Sequence, residues 1–171
     1  MLARHLGILF AHSSSDPAVI DFGCGNGFYV QHLNSMGIPT IGFDGRPQLA
    51  PNCHHLDLAV EFDLGYKADW VISLEVGEHI PAEHQSTFLD NICNPCLYGL
   101  VLSWAKPNQP GRGHVNCQPQ DKIIEEVVGR GFRYDVQMTR ALRNTELPWL
   151  KYNLLAFIRI SSFRSVLTLE S

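Results

Sequence analysis

The chain contains no apolar run approaching the roughly 18–20 residues that a membrane-spanning helix needs. Its opening segment, MLARHLGILFAH, has one arginine and a brief apolar patch, and AVIDF follows almost at once. That segment reads as a helix laid over a sheet and not as a secretory leader. Paired zinc-type cysteine spacing is missing, and the five cysteines, Cys24, Cys53, Cys93, Cys96 and Cys117, are odd in number. This argues against a disulfide framework and for free thiols in a reducing, cytoplasmic setting. The C-x-x-C of Cys93 and Cys96 follows a predicted helix with no second ligand pair nearby, so it reads as structural. The sequence also lacks repeats, low-complexity linkers and any Lys/Arg cluster interleaved with aromatics, so nothing points to a nucleic-acid surface.

What is there suits one globular domain. The 171 residues are 45% hydrophobic and 18% charged, enough to bury a core. We expect a single domain over 1–160 and a frayed tail over 161–171. The net charge of −4 is unevenly spread: residues 1–100 hold 3 basic and 11 acidic side chains, and residues 101–171 hold 10 and 6. A basic rim in the second half could attract an anionic substrate.

Strands and helices alternate along the chain. AVIDF, PTIGFD, CHHLDL, DWVISL and LYGLVLSW read as five strands, and the unbroken apolar character of the fourth suits burial on both faces. Between them, GFYVQHLNSMG carries Tyr29, Leu33 and Met36 at helical spacing with Gly37 as a stop. Pro81 and Pro119 can open two further helices, the second turning Ile123, Ile124, Val127 and Val128 to the core. RYDVQM and NLLAFIRI read as two last strands, joined as a hairpin across TRALRNTELPWLKY. The pattern predicts a doubly wound, mostly parallel α/β sheet with its ligand at the carboxyl ends of the strands.

Three glycines at alternating positions follow the first strand, in VIDFGCGNGF. Such a turn lets a ligand touch main chain, and the helix start behind it offers unpaired N–H groups. Dinucleotides and S-adenosylmethionine are the two candidates. The dinucleotide pattern G-x-G-x-x-G would need its third glycine where Phe28 stands. The pattern present, Asp21-x-Gly23-x-Gly25-x-Gly27, resembles the first motif of class I S-adenosylmethionine-dependent methyltransferases. Asp44 ends the second strand, 17 residues after Gly27, where a carboxylate can take both ribose hydroxyls. Asp57 follows the third strand, where the family's acidic residue takes the adenine amino group and the next N–H, here Leu58, the ring. SLEVGEHIP closes the fourth strand, as in many members, including ubiquinone-pathway O-methyltransferases. The resemblance spans residues 18–104 and implies a Rossmann-like, seven-stranded sheet with an antiparallel last strand. It also implies a cofactor site at Asp21, Gly23, Cys24, Gly25, Gly27, Asp44, Gly45, Asp57, Leu58, Glu75 and Val76. The glycine loop has no Lys or Arg, and S-adenosylmethionine has no phosphate to require one.

The chemistry is expected at Glu75, Glu78 and His79. Methyl transfer from a sulfonium asks an enzyme to align a nucleophile and remove its proton. The E-x-x-E-H spacing brings the three side chains together if the chain turns helically there. Small-RNA 3′-terminal 2′-O-methyltransferases share this motif and complete a metal site with a histidine beyond the fifth strand. His114, in GRGHVNC, comes from the equivalent loop. The resemblance therefore implies Glu78, His79 and His114 as catalytic, and Glu75, Glu78, His79 and His114 as ligands to Mg²⁺ or Mn²⁺; the same motif also occurs without metal. His54 and His55 read as structural, His84 as surface, and Trp104 and Trp149 as core. Arg140 and Arg143, one turn apart, either greet an anionic acceptor or face solvent. The expected reaction is methylation of an oxygen or nitrogen on a small or exposed acceptor, with small molecules or peptides favoured over RNA. No cap insertion is visible, so loops, a partner subunit or the substrate must complete the pocket of a monomer or homodimer. A metal-dependent RNA 2′-O-methyltransferase-like enzyme, a catalytically silent cofactor-binding subunit and a nicotinamide oxidoreductase stand as alternatives.

Overall fold

A computed structural model describes residues 2–13, 15–46 and 50–160; the expected tail over 161–171 lies outside them. The first strand, β1 (Val19–Phe22), lies inside the sheet and is buried at every position. It pairs in parallel with β2 (Thr40–Asp44) on one side and with β4 (Ala68–Leu74) on the other. β3 (Cys53–His55) extends the sheet beyond β2, and β5 (Cys96–Ser103) extends it beyond β4, both in parallel. β7 (Leu154–Arg159) then runs antiparallel between β5 and β6 (Phe132–Tyr134). The order β3-β2-β1-β4-β5-β7-β6 is the seven-stranded sheet the sequence predicts, with the last strand antiparallel. Strands β1 to β3 are laid down outward in one direction and β4 and β5 in the other, so the strand order reverses between β1 and β4, which opens a crevice at their carboxyl ends.

Two cores cover the sheet because successive strand residues point to opposite faces. On β4, Trp70 and Ile72 join one cluster and Val71 the other; on β5, Val101 opposes Leu100 and Leu102. One face is covered by α1 (Leu2–Ser13), α2 (Phe28–Ser35), α5 (Val136–Leu142) and α6 (Pro148–Asn153), through Leu6, Phe10, Leu33, Leu142 and Leu150. The other is covered by α3 (Gln85–Cys93) and α4 (Gln120–Val128), through Phe88, Leu89, Ile92, Ile123 and Val127. The opening segment, read as a helix laid over the sheet, is α1, and Trp70 pins it: its ring lies 4.9 Å from Phe10 and its Nε1 donates to Ser13 Oγ at 2.7 Å.

Four expectations change. RYDVQM is a strand only to Tyr134, because the Asp135 carboxylate accepts the Met138 N–H and starts α5. The expected hairpin connection therefore holds two helices, although β6 and β7 do pair antiparallel. Val128 faces solvent while Ile123 and Val127 are buried. Trp149 is half exposed, at 50%, whereas Trp104 is in the core as expected.

Truncating a fully buried aromatic loses its transfer free energy and leaves a cavity. Trp70→Ala is expected to lower unfolding free energy by ~3–5 kcal/mol, against less than ~0.5 kcal/mol for the exposed Ile8→Ala, in urea denaturation. Equal effects would contradict the role given to Trp70.

Candidate functional site

The glycine turn after β1 is built by the end of β2. The Phe43 carbonyl accepts the N–H groups of Gly23 (2.7 Å) and Cys24 (3.1 Å), and Asp44 Oδ2 accepts that of Gly25 (2.8 Å). Gly23, Gly25 and Gly27 all have positive φ, between 57° and 80°, which disfavours any side chain there. At Gly23 a Cβ would also collide with Val76, so the turn and the end of β4 close on each other only through a glycine.

These residues border a cleft of about 500 Å³ at the β1/β4 crevice. Gly23, Gly25, Asp44, Gly45, Asp57, Leu58, Glu75 and Val76, all marked from sequence, line it together with His79, Arg46 and Ile80. Arg46 and Ile80 escaped the sequence reading. Arg46 donates its N–H and Nε to Asp44 Oδ1 at 2.9 and 3.3 Å. The carboxylates of Asp44, Asp57 and Glu75 outnumber this one cation, so the lining favours a ligand with positive charge. Asp57 Oδ1 accepts the Ala59 N–H at 2.9 Å, which presents the loop after β3 to the cleft.

Asp21, Cys24 and Gly27 lie beneath or beside the cleft. Gly27 is the N-cap of α2, packed against Ala50 and Cys53, and Cys24 fills the space over Gly42. Asp21 is buried, and its Oδ2 has no hydrogen-bond partner. Burial, reinforced by the charge of Asp44, pushes its carboxyl up to about 8.

At the end of β4 the chain enters a left-handed residue, Glu75 (φ 57°), before a short 3₁₀ turn over Gly77–His79. Ser103 Oγ, on β5, accepts the Glu75 N–H at 2.7 Å. Gly77 lies against the Trp104 ring, where a Cβ would not fit. The loop after β5 is clasped to this turn: the N–H groups of Val115 and Asn116 both donate to the Glu78 carbonyl, at 2.9 and 3.0 Å. Trp104 Nε1 donates to the Asn116 carbonyl at 2.6 Å from below.

The clasp sets His114 beside Glu78 and His79. Ligand atoms of the three lie within 4.8 Å of one another, and the two imidazole rings meet edge-on at 5.2 Å. Glu75 is outside this group; its Oε1 accepts from Asn153 Nδ2 at 3.1 Å. Helical spacing from Glu75 to His79 fails because the turn starts only at Gly77. His79 Nδ1 donates to the Gly113 carbonyl (3.0 Å) and His114 Nδ1 to the Gln109 carbonyl (3.2 Å), with the Cys117 thiol 3.6 Å from the latter nitrogen. Since a carbonyl only accepts, each Nδ1 carries a proton, and in the neutral ring Nε2 then holds the lone pair. His114 Nε2 lies 3.9 Å from Glu78 Oε1. Glu78 is fully buried, and neither carboxyl oxygen meets a hydrogen-bond donor. Burial, with the charge of Glu75, holds its pKa well above the carboxylate range. A buried carboxyl facing an imidazole lone pair is repulsive unless a proton or a cation lies between them.

Arg140 and Arg143 diverge. Arg140 borders a groove between α1 and α5, away from the cleft, while Arg143 turns to α4 and β7. Asn153 and Gln109, also missed, join Glu75 in one network: Asn153 Nδ2 reaches Gln109 Oε1 at 3.0 Å. His54, His55 and His84 are exposed.

No protein-family model matches the chain, and no curated protein is similar to it in sequence. Solved structures do match. The structure of a sugar N-methyltransferase, KedS8, from Streptoalloteichus sp ATCC 53650 superposes at TM-score 0.71 with 14% identity, covering 92% of this chain and 86% of that one. Magnesium protoporphyrin IX methyltransferase from Synechocystis PCC 6803, with bound SAH, superposes at 0.66 with 21% identity, covering 92% and 81%. The small RNA methyltransferase HEN1 superposes at 0.69 with 17% identity, covering 94% of this chain and 25% of that one. The fold is that of class I methyltransferases. Within it, the crevice between β1 and β4 and the turn after β4 hold every polar cluster described above.

A carboxyl whose native pKa is raised binds a proton that the unfolded chain has already released. Asp21 therefore contributes stability that is present below pH 4 and is lost as pH rises toward about 8. The stability advantage of Asp21→Asn over the unchanged chain is expected to grow with pH across that window, by up to ~1.4 kcal/mol per unit, in urea melts. A pH-independent difference would contradict the assignment.

Proposed function

We propose that the chain transfers the methyl group of S-adenosylmethionine to an oxygen or nitrogen of a small or exposed acceptor. The observation that carries this reading is the cleft: a glycine turn with no Lys or Arg of its own opposite a carboxylate at the end of β2, at the switch point of a class I methyltransferase fold. S-adenosylmethionine is a sulfonium cation without phosphates, and an acidic lining with bare main chain suits it. Asp44 takes the ribose hydroxyls, and Asp57 with the Leu58 N–H takes the adenine. Gly23, Gly25 and the start of α2 receive the methionine end. Glu75 and Val76 then flank the sulfonium. That three similar structures belong to methyltransferases, one with bound SAH, supports the same reading.

Transfer is a displacement in which an acceptor lone pair forms a bond to the methyl carbon as the carbon–sulfur bond breaks. The acceptor must also lose a proton. His79 is the group that both lines the cleft and keeps an Nε2 lone pair, so it is the base. Glu78 and His114 stand behind it and bias its charge.

The same three residues fit a divalent cation. The unpartnered Glu78 oxygens and the lone pair of His114 are the donor set that such an ion would satisfy. Glu78, His79 and His114 would hold Mg²⁺ or Mn²⁺, and Glu75 would stay with Asn153. When bound, the ion would occupy the His79 Nε2 lone pair and, in place of that base, would lower the pKa of an acceptor hydroxyl.

Calorimetry tests both parts. The chain is expected to bind S-adenosylhomocysteine, and Asp44→Ala to weaken it by about tenfold to a hundredfold, as expected for lost hydrogen bonds to a charged group. Glu78→Gln is expected to keep that affinity and to lose the heat of Mn²⁺ binding. Absence of S-adenosylhomocysteine binding, or binding of a nicotinamide dinucleotide in its place, would sink the reading; absence of Mn²⁺ heat in the unchanged chain would sink the metal assignment alone.

A further inference from the structure

At the carboxyl edge of the sheet, a second assembly stands next to the cleft with no part in the scheme above. α6 ends at Asn153, a buried residue whose Nδ2 bridges Glu75 Oε1 and Gln109 Oε1. The same Gln109 oxygen accepts the main-chain N–H of Lys106 at 3.3 Å. Lys106 is thus tied through Gln109 and Asn153 to Glu75, which lines the cleft.

Lys106 Nζ lies 5.7 Å over the ring centroid of Tyr152, which stands 64% exposed one residue before Asn153. A cation over a ring face is held in place without being neutralised. Arg143 comes from the other side of α6, donating Nε to the Leu154 carbonyl (2.8 Å) and Nη2 to Gln120 Oε1 (3.2 Å), both neutral acceptors. Among the described residues neither Lys106 nor Arg143 forms an ion pair, whereas Arg46, Arg130 and Arg133 each face a carboxylate. Gln120 links the two cations: its Oε1 takes Arg143 Nη2 and its Nε2 donates to the carbonyl of Tyr152 (2.6 Å), the residue whose ring seats Lys106. After partial burial, the charge of Arg143 pulls the Lys106 pKa down. Two like charges held by one framework, neither ion-paired among the described residues, leave room for an anion that arrives with the substrate.

We propose that Lys106, seated on Tyr152 and backed by Arg143, docks an anionic group of the methyl acceptor, a phosphate or a carboxylate. This rests on the methyl-transfer reading and names the charge of the substrate class. Lys106 offers three N–H donors that meet no acceptor among the described residues, and a compact anion can take them. The Gln109–Asn153 bridge ties the Lys106 main chain to Glu75, so an anion on the lysine would orient the acceptor from beside the cleft. Lys106 is accordingly a specificity residue.

The test uses the full chain saturated with S-adenosylhomocysteine, followed by ¹H–¹⁵N NMR while phenyl phosphate, benzoate or the neutral benzyl alcohol is added. Phenyl phosphate or benzoate is expected to shift the amides of Lys106, Gln109 and Tyr152 saturably, about tenfold more tightly than benzyl alcohol. The tighter of the two anions identifies phosphate or carboxylate. Lys106→Met is expected to remove this preference and Lys106→Arg to keep it, with S-adenosylhomocysteine affinity unchanged in both. Equal affinity for anions and benzyl alcohol, or an undiminished preference in Lys106→Met, would overturn the proposal while the cofactor reading stands. Failure to saturate with S-adenosylhomocysteine would overturn both.

Discussion

The clamp between the end of β2 and the glycine turn after β1 is the constraint on which the rest of the site depends. Two consecutive residues of β2 supply all of its acceptors: the carbonyl of Phe43 takes two N–H groups and the carboxylate of Asp44 takes a third. Those three donors can converge only because Gly23 and Gly25 adopt positive φ. With the turn drawn onto β2, Val76 can close against Gly23, and a cleft is left between the ends of β1, β2 and β4. The carboxylate that braces the turn also lines the cleft, so Asp44 links the backbone geometry to the lining.

A second clasp organises the chemistry. The Glu78 carbonyl receives two N–H groups from the loop after β5, and the Trp104 indole anchors that loop against Gly77. Main-chain bonds thereby carry His114 to Glu78 and settle which nitrogen of each histidine bears a proton. The cost falls on two buried carboxyls, Asp21 and Glu78, each with an unpartnered oxygen. Natural folds keep such groups where a ligand, proton or ion later compensates them. Asp21 lies on β1 beneath the cleft, and Glu78 lies in the turn after β4 beside it.

Much of this was legible in the sequence, for physical reasons. Parallel strands buried on both faces leave continuous apolar runs, so AVIDF, DWVISL and LYGLVLSW announced β1, β4 and β5. The glycines at 23, 25 and 27 and the carboxylates at 44 and 57 are dictated by local turn geometry, which spacing records well. Long-range capture was not legible. Nothing in NLLAFIRI, read from its first residue as a strand, marks Asn153 as the partner of Glu75, because that contact spans 78 residues and depends on α6 being placed by β7. Likewise, the E-x-x-E-H spacing, with His114 implied by the family resemblance, suggested four convergent ligands, yet a left-handed Glu75 turns its side chain to Asn153 and leaves three. Short helices such as α5 escape periodicity altogether; a single Asp135 cap decides where β6 ends.

The most direct test of the account is a crystal structure of the chain with S-adenosylhomocysteine. The account predicts ligand density in the β1/β4 crevice, with the ribose hydroxyls on Asp44, the adenine beside Asp57 and Leu58, and the sulfur turned toward Glu75 and His79. Density at any other face, or a crevice without ligand under saturating conditions, would contradict it.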